Sequence, residues 1–329
     1  MHCHMCLRDK FFICLLGALL LAGCSSLKTG FLGFAPLGDK QEYVRARNLY
    51  NHQQYKEAIN QLTHYIYKAG NVSRREARAY RLLGMSYEQL EQLDKALETY
   101  LEALEFHPKN VPLLIAAAEL YQRTGLTDKS QELFERALKQ EPNNLQALAG
   151  QAENYRSFGF FSQARNYYDQ FFALNPGAPS HYRAKYASTF LNQSNFEQAF
   201  IHITMALDKD PHQADYWLIS AKASFRLGRY EDALAAIDIA LALAPNRPDF
   251  KLYKIIGLYQ TQHFKESAKL SVQFTQQYPE HQLGWLLLAL NEQKLNKYTA
   301  ARTHLHKAAA LNEASFTGKV AAQLLQLWK

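Results

Sequence analysis

The sequence predicts an all-α solenoid of about eight stacked helical hairpins, closed at its carboxyl end by a capping helix. Proline recurs at separations of 34, 34, 35, 34 and 34 residues, at Pro108, Pro142, Pro176, Pro211, Pro245 and Pro279. Hydrophobic residues make up 48% of the 329-residue chain, which is enough to bury a continuous core. A fixed period of this length indicates a repeat array, which grows unit by unit instead of by globular domains.

Each of these prolines is predicted to end one hairpin. Proline lacks a backbone N–H and its ring clashes with the preceding turn, so it cannot continue a helix. Large and small residues alternate at helical spacing before Pro108, at Tyr80, Leu83, Gly84, Tyr87, Ala96, Tyr100 and Ala103. Small residues let two helices approach closely, and large residues fill the remaining space. The unit therefore reads as two antiparallel helices joined by a turn.

This pattern resembles the tetratricopeptide repeat, a helix-turn-helix unit of 34 residues. With the proline at position 32, the seven residues above occupy the family's characteristic positions 4, 7, 8, 11, 20, 24 and 27. The resemblance implies a right-handed superhelical solenoid whose first helices line a concave surface. The unit that ends at Pro279 is a weaker match, because Gly257 and Tyr259 fit only after a one-residue slip in the turn.

Two further units, around Ala46 and Trp285, lack the proline and complete about eight repeats in residues 41–313. The end of a solenoid exposes a hydrophobic face unless something covers it, so residues 314–329 are predicted to form a C-terminal capping helix. An apolar strip precedes this helix, at Leu283, Leu286, Leu287 and Leu290. Either the capping helix folds over the strip or the strip is an exposed docking patch. We favour the first interpretation.

The amino terminus has the pattern of an export signal. Arg8 and Lys10 precede an apolar run over residues 11–21, which is too short to span a bilayer. The segment Leu21-Ala22-Gly23-Cys24 follows and resembles the lipobox of bacterial lipoproteins. The resemblance implies that residues 1–23 are a signal peptide and that Cys24 becomes the acylated first residue. The alternative is an ordinary secretory signal in which Cys24 is incidental.

The lipobox interpretation also predicts a location. Acyl chains on Cys24 would hold the protein on a membrane without crossing it. Ser25 and Ser26 follow where inner-membrane lipoproteins carry aspartate, which implies the outer membrane, facing the periplasm. Residues 24–40 contain three glycines and a proline and read as the acylated cysteine and its tether. Phe31, Leu32 and Phe34 within the tether are expected to lie against the first repeat or the lipid surface.

The predicted binding surface is the concave groove. Side chains at the groove-lining positions of the first helices are not needed to pack the core. They include Arg78, Arg81, Met85, Glu88, Glu119, Arg123, Glu153, Arg156, Lys185, Lys222, Arg226 and Lys254. This mixed but cationic channel suits an acidic or C-terminal peptide segment of a protein partner. The asparagine and lysine clamp of chaperone-binding members is not matched, because position 9 holds Met85, Glu119, Glu153, Ser188 and Lys222.

No pattern in the sequence predicts catalysis, a metal site or a cofactor. The chain lacks a glycine-rich phosphate loop and the common hydrolase and metalloprotease motifs. Cys3, Cys6 and Cys14 lie in the predicted signal peptide, so the mature chain would keep no free thiol. His304 and His306 are two residues apart and point in different directions on a helix. An enzyme with a site hidden between repeats is the least favoured class.

The predicted partners are proteins and, through Cys24, a lipid membrane. An exported chain does not normally meet nucleic acid, although the mature net charge is about +6 once residues 1–23 are removed from the formal +7. Lipobox and repeats together resemble outer-membrane lipoproteins that assemble pili. We therefore predict a non-catalytic, membrane-anchored scaffold for an envelope machine such as a pilus or secretion system. The alternative is a scaffold or regulator for peptidoglycan or exopolysaccharide enzymes.

Overall fold

The computed structural model describes residues 37–67 and 76–328, with side chains from residue 41 onward. Helices α1 to α17 and connecting turns account for all of this part of the chain, which contains no strand. The helices are α1 (Leu37–Asn51), α2 (Tyr55–Tyr67), α3 (Ala77–Gln89), α4 (Leu93–Phe106), α5 (Val111–Arg123), α6 (Thr127–Gln140), α7 (Leu145–Ser157), α8 (Phe161–Leu174), α9 (Ser180–Asn192), α10 (Phe196–Leu207), α11 (Ala214–Arg226), α12 (Tyr230–Leu243), α13 (Pro248–Gln260), α14 (Phe264–Gln277), α15 (Gln282–Lys294), α16 (Tyr298–Leu311) and α17 (Phe316–Leu327).

The first sixteen helices form eight consecutive hairpins, and each hairpin packs on the next. First helices also contact one another, as α3 with α5, α5 with α7, α9 with α11 and α13 with α15, whereas second helices make no comparable contact. The first helices therefore crowd along the inner side of the curve and the second helices fan out along the outer side. The predicted all-α solenoid of eight stacked hairpins is confirmed.

Each hairpin turn contains one residue with a left-handed backbone. These residues are Gln53, Glu91, Gly125, Gly159, Ser194, Gly228, Gln262 and Asn296, with φ between 57° and 79°. The next residue closes the turn by donating its N–H to a carbonyl five residues earlier, as Leu126 does to Tyr121 at 2.8 Å. This arrangement satisfies carbonyls at the end of the first helix. Only three of the eight positions hold glycine, so the other five carry a conformational cost.

The spacing of these turn residues corrects the predicted slip in the seventh unit. Gln262 follows Gly228 by 34 residues, so the register is unbroken and Gly257 is not the position-8 residue. Ile255 occupies that position and is fully buried. The exchange is possible because position 24 shrinks to Ser271, where the other units hold a large residue such as Tyr100. Volume is conserved within the hairpin although the size pattern is inverted.

Glycine is required where a large ring lies against a helix backbone. A Cβ on Gly84 would lie 2.2 Å from Cε1 of Tyr100 in the same hairpin, so the small residue at position 8 and the large residue at position 24 form one contact. Gly150 makes a similar approach between units, because a Cβ on it would lie 2.2 Å from Cζ of Phe134 in the preceding hairpin. Both rings are fully buried.

The prolines lie directly after the second helices, as the sequence predicts. Pro108 and Pro142 each follow the last residue of a helix by two positions. Two other prolines of the series link successive units. The indole Nε1 atoms of Trp217 and Trp285 donate hydrogen bonds at 2.7 Å to the carbonyls of Pro211 and Pro279.

Helix α17 packs on α16 and α15 and caps the array. Ser315 precedes α17 and caps its amino terminus, because its hydroxyl oxygen accepts a hydrogen bond from the N–H of Gly318 at 2.9 Å. No member of the leucine strip is exposed, but the covering is shared: Leu286 packs with the cap around Ala321, whereas Leu287 packs with Ile255 and Phe274. The predicted cap accounts for only part of the burial.

At the other end, α1 begins at Leu37, inside the segment predicted to be a tether. Cys24, the signal segment and Phe31 to Phe34 lie outside the described residues, as does most of the loop after the first hairpin. Within the described helices, none combines the length and hydropathy needed to cross a bilayer.

Candidate binding groove

The predicted groove residues lie on the first helices α3, α5, α7, α9, α11 and α13, and most of them line the inner surface. They fall into two groups with different surroundings. In the first half of the groove, formed by α3, α5 and α7 with the start of α9, cations meet carboxylates. In the second half, formed by the end of α9 with α11 and α13, cations meet aromatic rings.

Glu88 is the first carboxylate of the groove. It binds Arg123 of the next unit, with Oε2 2.5 Å from Nη1, and accepts a hydrogen bond at 2.7 Å from the hydroxyl of buried Tyr100. Burial, followed by the hydrogen bond to Glu88, raises the pKa of Tyr100. The tyrosine therefore stays protonated and holds the carboxylate in place.

Glu153 is the most heavily paired carboxylate of the groove. Both Nε and Nη2 of Arg156 donate to Oε1, Nζ of Lys185 lies 3.2 Å from Oε2, and the hydroxyl of Tyr168 donates to Oε2 at 3.0 Å. Burial opposes ionisation of Glu153, but the hydrogen bond from Arg156 and the charge of Lys185 outweigh it and lower the pKa of this carboxyl group. Two of the predicted cations are thus committed to one anion.

Glu119 lies on α5, between Glu88 and Glu153 in the groove, and its pKa shifts in the direction opposite to that of Glu153. Desolvation by the groove walls is the main cause that raises the pKa of Glu119, and repulsion from Glu88 adds to it. The charges of Arg81 and Arg123 act in the other direction without reversing the shift. Arg81 and Glu119 line a small hollow of about 200 Å³ between α3, α5 and α7.

The predicted groove residues nearest the amino terminus are only partly accessible to a ligand. Arg78 lies 4.8 Å from the ring centroid of Tyr43 and 3.0 Å from Oε2 of Glu76, and its side chain is about half exposed. Met85 is half-buried.

Lys254 is not a groove residue, contrary to the prediction. Its amino group binds the carboxylate of Asp238 on α12, and only 16% of its side chain is exposed. Lys254 occupies position 7, which points at the second helix of the preceding unit. Other units place buried residues such as Leu83 and Leu288 there.

The second half of the groove contains a cleft of about 570 Å³ bounded by α9, α11 and α13. Seven of its thirteen lining residues are aromatic or aliphatic: Leu191, Phe196, Ile219, Phe225, Tyr230, Tyr253 and Ile256. Lys222 and Arg226 are the two charged residues that line it. None of the thirteen lining residues is acidic.

The two cations of the cleft rest on rings. Nζ of Lys222 lies 5.3 Å from the centroid of Tyr253, and Cζ of Arg226 lies 4.7 Å from the centroid of Phe196. Among the described residues, no carboxylate approaches either cation within 4.0 Å. A ring face stabilises a cation without neutralising it, so the charge stays available to a ligand.

Sequence reasoning found both cations and missed the cleft. The sequence analysis identified mainly charged side chains on the first helices and passed over Phe225 and Tyr253 on α11 and α13. Phe196 is the first residue of the second helix α10, a part of the hairpin that was not expected to line the groove. A search for aromatic residues one turn from each groove cation would have identified Phe225, three residues after Lys222, but not Tyr253 or Phe196, which lie on other helices.

The inner surface is suited to binding. Across residues 37–67 and 76–328, no three histidine, cysteine, aspartate or glutamate side chains converge on a point that could hold a metal ion. The groove offers instead a continuous inner surface with alternating charged and apolar patches, which suits an extended polypeptide.

Stacked helical hairpins with such a surface define the class of helical-repeat interaction proteins. Three models of the tetratricopeptide repeat match residues 77–110, 111–144 and 187–248 of the chain. These residues include most of the predicted groove.

Solved structures show the same fold over a larger part of the chain. A tetratricopeptide repeat protein from Parabacteroides merdae is 16% identical, with a TM-score of 0.54 over 88% of this chain and 98% of that one. PilF of Pseudomonas aeruginosa is 18% identical, with a TM-score of 0.54 over 67% of this chain and 96% of PilF. PilW, described as a type IV pilus biogenesis factor, is 19% identical, with a TM-score of 0.54 over 62% of this chain and 94% of PilW.

Among curated proteins, the E3 SUMO-protein ligase RanBP2 of Homo sapiens and that of Pan troglodytes are 34% identical over 82 residues. That match covers 25% of this chain and 2% of RanBP2, so it concerns a small segment of a much larger protein.

Proposed function

We propose that this chain is a membrane-anchored scaffold that binds segments of protein partners in its concave groove and supports assembly of an envelope machine such as a pilus or secretion system. It catalyses no reaction itself in this proposal. The observation that carries it is the groove: a row of first helices presents charged and aromatic side chains that the hairpin core does not need.

Two further observations support the envelope setting. Leu21-Ala22-Gly23-Cys24 resembles a lipobox, which would place the array on a membrane. PilW, a type IV pilus biogenesis factor, and PilF share the fold. Similarity at this level of identity supports the fold. We therefore take components of a pilus as the first partners to test.

The groove is tested by photo-crosslinking in cells that express the full chain. A benzophenone amino acid replaces Ser188, which lines the cleft, or Met205, which is exposed on the outer helix α10. We expect the Ser188 probe to capture a discrete partner and the Met205 probe to capture little. Mass spectrometry then identifies the captured partner. Pilus or secretion components would support the proposal, whereas peptidoglycan or exopolysaccharide enzymes would favour the alternative scaffold function. Capture from Met205 alone would move binding to the outer surface.

The anchor is tested separately. Cys24→Ala is expected to release a folded protein from the membrane fraction, because acyl chains provide the membrane affinity. Ser26→Ala is the matched control and is expected to sediment with membranes as the wild type does. If Cys24→Ala still sediments fully, acylation is not the anchor.

A further inference from the structure

We propose that the cleft between α9, α11 and α13 is the specificity site of the groove, and that it binds an internal peptide segment carrying a carboxylate side chain beside a large apolar one. This inference rests on the proposed groove function and identifies the kind of segment that the groove selects.

The charge requirement follows from the two cations. Lys222 and Arg226 are four residues apart on α11, so they lie on the same face, one turn from each other. Both stand over rings and neither has a carboxylate within 4.0 Å among the described residues. A carboxylate placed between them would form charge-assisted hydrogen bonds without displacing an existing partner.

The first half of the groove offers no such pair of cations. Arg81 has no ion pair among the described residues, but it shares a small hollow with the carboxyl group of Glu119. Arg123 is bound to Glu88, and Arg156 and Lys185 are both bound to Glu153. An incoming carboxylate there would have to replace an anion that Tyr100 or Tyr168 also holds by a hydrogen bond. Acidic ligands are therefore expected to discriminate between the two halves.

The apolar requirement follows from the walls. Phe225 and Tyr253 stack with centroids 6.0 Å apart, and Ile219 and Ile256 extend the same wall. A cleft of about 570 Å³ holds one large side chain with its backbone. An aromatic or branched residue next to the carboxylate would bury its surface there.

The ligand is an internal segment because the groove has no end at this point. The first helices continue on both sides of the cleft, with α7 before it and α15 after it. A chain can therefore enter along one neighbour and leave along the other, so a free C-terminus is not required.

The experiment is a selection from two peptide libraries against the purified full chain. In one library, eight random residues are flanked on both sides by Gly-Ser linkers, so that no terminus is available. In the other, the random segment ends in a free C-terminal carboxylate. We expect the flanked library to yield segments in which Asp or Glu lies within a few residues of Phe, Tyr, Trp, Leu or Ile. Enrichment from the free-terminus library alone would overturn the proposal, as would selected segments without acidic residues or no enrichment at all.

Variants then assign the binding to the cleft. The best flanked peptide is synthesised with both ends blocked and titrated against the wild type, Lys222→Gln with Arg226→Gln, and Arg123→Gln as the matched control. We expect the double variant to lose at least about tenfold in affinity and the control to stay within about twofold. Equal affinity for the double variant, with an unchanged melting temperature, would place the site elsewhere in the groove. In that case the proposed groove function would stand, whereas a groove that captures no partner in cells would remove both.

Discussion

The two halves of the groove make different use of their cations. In the first half, Arg123, Arg156 and Lys185 bind glutamates of the same surface. In the second, Lys222 and Arg226 rest on aromatic rings. The difference shows that counting groove charges overstates what a ligand meets, because an internally paired cation contributes to the fold before it contributes to recognition.

The largest expected effect comes from the aromatic wall of the cleft. Tyr253→Ala removes a half-buried ring that packs with Phe225 and supports Lys222, so we expect a loss of about 2–3 kcal/mol of unfolding free energy. Tyr253→Phe keeps the ring and is the control, expected to match the wild type. Urea unfolding followed by circular dichroism measures both. A loss equally large in Tyr253→Phe would mean that the hydroxyl group, and not the ring, supports the cleft.

The next effect concerns the anion of the first half. Glu153→Gln removes the negative charge and replaces one of the two oxygens that bind Arg156, Lys185 and Tyr168 with an NH2 donor, and we expect it to cost about 1–3 kcal/mol at pH 7. Because the folded pKa of Glu153 is lowered, its contribution is complete above the ordinary glutamate pKa of about 4.3 and is lost as the pH falls through the folded value. The gap between wild type and variant in urea midpoint should therefore shrink from pH 7 to pH 3. A gap that is constant with pH would contradict the ionic explanation.

A smaller effect compares one cation from each half. Arg156→Gln should destabilise the chain by about 1 kcal/mol or more, because it removes hydrogen bonds to a largely buried carboxylate. Lys222→Gln should cost less, since a partly exposed cation over a ring contributes only about 0.5–1 kcal/mol. Thermal midpoints measured side by side decide the order. The reverse order would mean that the second-half cation is the one tied into the fold.

The smallest effect has the opposite sign. The raised pKa of Glu119 means that the folded groove disfavours its charge, so Glu119→Gln should stabilise the chain at pH 7 by less than about 1 kcal/mol. The gain should disappear once the pH is below the ordinary glutamate pKa of about 4.3, where the wild-type side chain is already neutral. Differential scanning calorimetry at pH 7 and pH 4 tests this. Destabilisation at pH 7 would show that the attraction of Arg81 and Arg123 outweighs desolvation.

The sequence alone was sufficient for the hairpins and their order. Helix periodicity and the prolines are local signals that can be read from one unit. A small residue paired with a large one, such as Gly84 with Tyr100, indicates that two helices pack closely at that point. The seventh unit shows where this logic fails. Ile255 and Ser271 exchange large for small within one hairpin, so a search for the usual size at each position misaligns the unit.

The groove was predicted less well, for a different reason. Which cation meets which carboxylate depends on the rotation between successive units, and no single unit contains that information. Glu88 and Arg123 are 35 residues apart and Glu153 and Lys185 are 32 apart, on either side of the 34-residue period. Composition showed a cationic channel, but only the stacked units show which charges are already neutralised.

The inverted sizes of Ile255 and Ser271 also bear on evolution and design. A helix copied from another unit into either side of this hairpin would bring two bulky residues, or two small ones, face to face. Duplication or recombination within this chain is therefore tolerated best when whole hairpins are moved, with breakpoints in the loops that contain the prolines. The smallest interchangeable part of the molecule is a matched pair of helices.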